Sequence, residues 1–136
     1  RPVILLFILN PLIIFILLFT SLLVSSCEKE KPSAGEYIGI FSYEIPQGLV
    51  KTAYIEISNP TQNSITINGS KVSKKNEKIE GHIDNVTFSQ FGIDIIGEWS
   101  HKIFSKEYVI SGTFTETYYQ GGNQYQNSGT FEIKSN

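Results

Sequence analysis

The chain has 136 residues, 40% of them hydrophobic and 18% charged, with a formal net charge of −2. It holds no basic excess to neutralise phosphates, which argues against nucleic acid as a partner. A single Cys excludes an internal disulfide and a multi-cysteine metal site.

Residues 3–24 are Ile, Leu, Phe and Val, interrupted by Asn10, Pro11, Thr20 and Ser21. Such a run suits either the apolar core of an export signal or a membrane-spanning helix, which needs about 20 apolar residues. Pro11 would kink a spanning helix, and Asn10 would be costly in lipid. The run ends on Val24-Ser25-Ser26-Cys27. Small residues ahead of a scissile bond fit the narrow pocket of a signal peptidase. The chain opens on Arg1 rather than Met, which predicts a few further residues upstream.

Val24-Ser25-Ser26-Cys27 resembles the lipobox of bacterial lipoproteins: aliphatic, small, small, Cys. The resemblance implies that the Cys27 thiol receives diacylglycerol. It also implies cleavage between Ser26 and Cys27, then acylation of the new amino group. Two or three acyl chains hold a protein on a membrane stably, where one chain is reversible. Cleavage leaves 110 residues, one ordinary domain, with ten lysines against 13 acids and a net charge of −3. An uncleaved membrane helix is the alternative. Both readings tether the domain to a membrane outside the cytoplasm.

Glu28-Lys29-Glu30-Lys31-Pro32-Ser33-Ala34-Gly35 reads as a flexible tether, because it offers nothing to pack in a core. Glu28 stands where an Asp would resemble an inner-membrane retention signal. The Lys/Glu-rich stretch resembles the export signal of surface lipoproteins in some gut and gliding bacteria, which implies the outer membrane, facing the periplasm or the outside. A merely solvated linker is the alternative.

From Glu36 onward, apolar residues alternate with polar ones. Tyr37, Gly39, Phe41, Tyr43 and Ile45 share one strand face, and Ala53, Ile55 and Ile57 share the next. Ile65 to Val72 reads as a hairpin, with Asn68-Gly69 at the left-handed positions of its turn. Lys74-Lys75-Asn76 reads as a second turn. Ile79, Gly81 and Ile83 alternate with Glu80, His82 and Asp84. Asp84-Asn85 leads into a short strand at Val86-Thr87-Phe88, and Gln90-Phe91-Gly92 turns into a strand ending near Trp99. Tyr108, Ile110, Gly112 and Phe114 run toward Tyr118, Gly121-Gly122-Asn123 is a tip, and Gly129, Phe131 and Ile133 close the chain. The pattern predicts an all-β antiparallel meander of eight to ten strands, closing into a barrel or tight sandwich. The domain plan is signal peptide 1–26, lipidated Cys and tether 27–35, and β-domain 36–136.

An apolar-x-Gly-x-apolar element recurs around Gly39, Gly81, Gly97 and Gly112, and Ser128-Gly129-Thr130-Phe131 repeats Ser111-Gly112-Thr113-Phe114. A strand coiling sharply round a narrow barrel needs a missing side chain at the bend. None of these glycines opens a helix or precedes Lys-Ser/Thr, so a phosphate loop is excluded. The Gly-x-aromatic spacing and the closing Gly-Thr-Phe-Glu-Ile strand resemble the lipocalin-like (calycin-type) domains of small bacterial lipoproteins. Gly39-Ile40-Phe41 has Phe where lipocalins usually carry Trp. The resemblance implies a barrel able to hold a small apolar molecule.

Glu80, His82 and Asp84 project from one strand face and could hold a divalent cation weakly; a solvated polar row is the plainer reading. His101 is placed in a loop. No Ser sits in a Gly-x-Ser-x-Gly elbow, and the sole Cys is assigned to lipid, so no enzyme, cofactor or metal is expected. The aromatics Trp99, Phe104, Tyr108, Tyr118, Tyr119 and Tyr125 gather in the C-terminal half, the last three around Gln120-Gly121-Gly122-Asn123-Gln124. Tyr, Asn, Gln and Gly on an exposed loop suit a glycan or protein partner; core aromatics with a plain tip are the alternative. Asn68-Gly69-Ser70 and Asn85-Val86-Thr87 are chance matches to a glycosylation pattern in turns. The function expected is non-enzymatic binding at the membrane. The ligand is a small apolar molecule in the barrel, reported by Trp99, or a glycan or envelope protein at Tyr118, Tyr119 and Tyr125. The competing reading is a structural subunit of an envelope complex with a filled barrel, and the least favoured is a small envelope enzyme whose carboxylates meet only in three dimensions.

Overall fold

The computed structural model describes residues 31–102, 104 and 107–136. The expected signal-peptide helix, the Ser26–Cys27 cleavage position and the start of the tether lie outside the described residues. Lys31–Asn136 form one unit. Eight strands follow one another round a closed barrel: β1 (Gly35–Tyr43), β2 (Val50–Ser58), β3 (Ser64–Ile67), β4 (Ser70–Lys75), β5 (Lys78–Ile83), β6 (Ile93–His101), β7 (Tyr108–Gln120) and β8 (Asn123–Ser135). All neighbours are antiparallel, and β1 pairs with β8 from Tyr37↔Ser135 to Tyr43↔Gly129 to close the sheet. The alternation in the sequence therefore does build an antiparallel meander barrel.

The period of two explains the closure. Tyr37, Phe41 and Tyr43 of β1, Ala53, Ile55 and Ile57 of β2, and Ile93, Ile95 and Trp99 of β6 all turn inward and are buried. Each large apolar side chain taken from water contributes about 1.5–3 kcal/mol. At the β3–β4 turn, Asn68 and Gly69 have φ of 49° and 83°, the left-handed pair that a type I′ turn requires.

The inward glycines are where strands coil and rings fit. A Cβ on Gly112 would strike the Ile96 carbonyl oxygen and the Cα of Gly97, its register partner. A Cβ on Gly97 would also sit 2.9 Å from the Phe131 ring, and one on Gly129 would sit 2.8 Å from the Phe114 ring. Phe41 meets the rings of Phe88, Phe114 and Phe131 at centroid distances of 4.8, 5.4 and 5.9 Å. Side chains thus pack the middle of the barrel, as is usual for narrow ones.

Three local expectations are corrected. Ile45 does not continue the inward face of β1: the strand ends at Tyr43, whose N–H donates to the Leu49 carbonyl across a turn, and Ile45 is exposed. Val86-Thr87-Phe88 is not a strand but a turn with a single Val86↔Ser89 bridge. Its apolar alternation serves to drop Val86 and Phe88 onto the end of the core. Lys74 lies in β4 rather than in a turn and is buried, because it shares the inward parity of Ser70 and Val72. The turn falls at 76–77, with Asn76 at φ 57°.

Up-and-down order gives the barrel two distinct ends. The connections 59–63, 76–77 and 102–107 lie at the base, where β1 begins and β8 ends. Connections 44–49, 68–69, 84–92 and 121–122 lie at the opposite, hairpin end. Residues 31–34 form no strand, yet they are fastened at the base: Pro32 is buried, and the Tyr37 hydroxyl donates to the Ser33 carbonyl at 2.6 Å.

Candidate functional site

The hairpin end owes its shape to unequal strand lengths. β7 pairs with β6 only as far as Ile93↔Glu116, and β8 pairs with β1 only from Tyr43↔Gly129. β7 and β8 continue to pair with each other up to Gln120↔Asn123. Residues 117–127 therefore stand past the barrel as a two-stranded ribbon, about 13 Å long at roughly 3.4 Å per residue. Its tip turns on Gly121 and Gly122, with φ of 59° and 81°.

The two faces of the ribbon differ. Tyr118 and Tyr125 are register partners on the face that continues the barrel interior, and their rings stack at 5.5 Å with 23° between planes. Gln120, Asn123 and Asn127 share that face by parity. Tyr119 points to the other side, where Phe91 meets it edge-on at 5.0 Å. Tyr119, Tyr125 and Phe91 are exposed.

Below the ribbon, Tyr43 donates from its hydroxyl to Glu116, and Tyr43 packs edge-on against Phe114 at 5.1 Å. Burial, reinforced by the Glu116 hydrogen bond, raises the Tyr43 hydroxyl well above its ordinary pKa. The Ser128 hydroxyl reaches the Glu44 carboxylate at 3.3 Å.

At the base sits a second cluster. Trp99 is buried and stacks with Tyr108 at 6.1 Å, and His101 stacks on Tyr108 at 4.5 Å. His101 is the last residue of β6 rather than part of a loop. The Lys74 ammonium lies 5.7 Å from the Trp99 ring centroid, within the range of cation–π attraction. Burial first, and then the nearby Tyr108, push the Tyr37 hydroxyl up to about 12. Phe104 is exposed in the β6–β7 connection.

His82 faces solvent on the outer wall. Its Nδ1 lies 2.9 Å from Asp94 and its Nε2 3.1 Å from Asp84, so its two nitrogens face different carboxylates. Glu80, the third member of the expected row, takes no part in these contacts. Among the described residues no group of three or more His, Cys, Asp and Glu is placed to hold a metal ion.

The structure thus splits the sequence-based candidates. Tyr118, Tyr119 and Tyr125 come together on the ribbon, on both of its faces. Trp99 belongs to the opposite end of the barrel, and Cys27 and Ser26 lie outside the described residues. Sequence reading missed Phe91 as the partner of Tyr119, Glu116 as the partner of Tyr43, and Lys74 as an inward residue. The parity of Lys74 with Val72 was its only local signal. Comparison with protein-family models, curated proteins and solved structures finds no match to this chain.

Proposed function

We propose that this chain is a lipid-anchored, non-enzymatic binding protein of the cell envelope that engages its ligand at the hairpin end. The barrel serves as a packed support. The observation that carries this reading is the ribbon of residues 117–127, which offers the exposed Tyr119 and Tyr125, with Tyr118 beside them, beyond the end of the core. Recognition collects on connections that can vary without disturbing the sheet beneath them. The anchor reading rests on Val24-Ser25-Ser26-Cys27 and the apolar run before it. Residues 31–34 join the base, so the hairpin end is the end of the barrel remote from its first described residues. An apolar ligand inside the barrel is disfavoured by the rings that press on the inward glycines.

A titration with a fluorescent fatty-acid analogue separates the two binding modes. The hairpin-end reading expects no saturable quenching of Trp99, which is buried at the base. Saturable, stoichiometric quenching would restore the barrel interior as the site. The packed core also fits the competing role of a structural subunit. That role replaces binding if Tyr118→Ala and Tyr125→Ala leave every partner interaction of the protein intact.

A further inference from the structure

We propose that the ligand of the ribbon is a neutral glycan, an inference that rests on the assignment of binding to the hairpin end. The register places Tyr118 and Tyr125 side by side, with Gln120, Asn123 and Asn127 on the same face. Each stacked ring has one face against its neighbour and a second face turned away from it. A sugar ring offers a C–H surface that packs on such a face. It also carries hydroxyls that both donate and accept, which matches the donor and acceptor of a side-chain amide. The other face repeats this chemistry with Tyr119, Gln124 and Gln126.

Charge narrows the class. Residues 117–128 carry no charged side chain. Two acidic groups stand just below the ribbon, Glu116 and Glu44, and they receive hydrogen bonds from Tyr43 and Ser128. Along residues 44–49 and 116–128 an anionic polymer would find two carboxylates and no lysine or arginine. A purely apolar ligand would bury the amides without partners, at a cost for each one left unsatisfied. A neutral, hydroxyl-rich ligand meets neither penalty. The two glycines at the tip add no side-chain bulk, so a chain longer than the ribbon can lie across it.

The test uses the full-length protein in micelles of a detergent without a sugar headgroup. It is passed over immobilised dextran, mannan and β-glucan, with polygalacturonate and heparin as anionic matrices. Retention is expected on at least one neutral matrix, with release by the corresponding soluble oligosaccharide. Tyr118→Ala and Tyr125→Ala should each weaken retention about tenfold, the loss of one aromatic stacking contact. Tyr125→Phe keeps the ring and should bind, as should Tyr54→Ala, which removes an exposed tyrosine from the barrel wall. Thermal melts confirm that each variant is folded. No retention on the neutral matrices, or retention on the anionic ones alone, overturns the glycan. In that event, a photo-crosslinker at position 124 that captures an envelope protein, with capture lost in Tyr118→Ala, leaves the hairpin-end reading standing with a polypeptide ligand. Neutral-glycan binding that survives both alanine variants overturns the site and the hairpin-end reading together.

Discussion

The Tyr43 hydroxyl donates to the Glu116 carboxylate, joining β1 to β7 across β8, the strand that lies between them. This bond spans the barrel mouth at the level where the ribbon departs, so it braces the root of the candidate site. Tyr43→Phe removes the donor from a half-buried carboxylate and should destabilise the fold by about 1–2 kcal/mol in thermal melts. The raised pKa of Tyr43 has a definite sign: its contribution is whole below the ordinary tyrosine value of 10.0 and fades as pH rises above it. The wild type should therefore lose stability more steeply above about pH 10 than the Phe variant does.

Gly112→Val is expected to be severe. The new side chain would be driven into the backbone of β6 at Ile96 and Gly97, where only the strand itself can yield. A loss of roughly 3 kcal/mol is expected, the upper range for overpacking. Gly112→Ala should fall between this variant and the wild type, and a flat series would mean that β6 and β7 are not this close.

His82 gives a smaller, pH-dependent effect. The Asp94 hydrogen bond first, and then the charges of Asp94 and Asp84, raise its pKa above the ordinary 6.5. The stabilisation is thus complete below the unfolded value and is lost as pH rises through the higher folded one. Because the pair is well exposed, the gain stays under about 1 kcal/mol. Melts of His82→Gln and wild type should differ slightly near about pH 5.5 and coincide near about pH 8.5. A difference that grows with pH would contradict the pairing.

Cys27 has a direct chemical readout. Mass spectrometry of the mature protein should find an N-terminal Cys27 carrying acyl chains, and Cys27→Ser should leave the leader uncleaved. An unmodified chain that still contains residues 3–24 would support the uncleaved helix instead.

The barrel was legible because alternation is a local signal: Tyr37, Phe41 and Tyr43, or Ile93, Ile95 and Trp99, reveal their common face without knowledge of their neighbours. The Asn68-Gly69 turn was legible for the same reason, since backbone sterics act within two residues. The site was less so. That Tyr118 and Tyr125 pass beyond the core depends on where β6 and β1 stop pairing, which a single segment does not encode. Trp99 was grouped with these tyrosines because it is near them in sequence, whereas β7 carries the chain the full height of the barrel between them. Val86 and Phe88 show the converse failure, a strand-like pattern used to cover the end of a core.

Closure by β1 and β8 also sets a condition on when the protein can fold. The first strand finds its second partner only in the last strand of the barrel, and Asn136 donates its N–H to the Glu36 carbonyl at 3.1 Å. Contacts so distant along the chain form late, because a long loop must be gathered before they return any energy. Until residues 129–135 pair with it, β1 is left with one bare edge and Phe41 lacks the ring of Phe131. A chain emerging N-terminus first is thereby held short of its native state until β8 has followed.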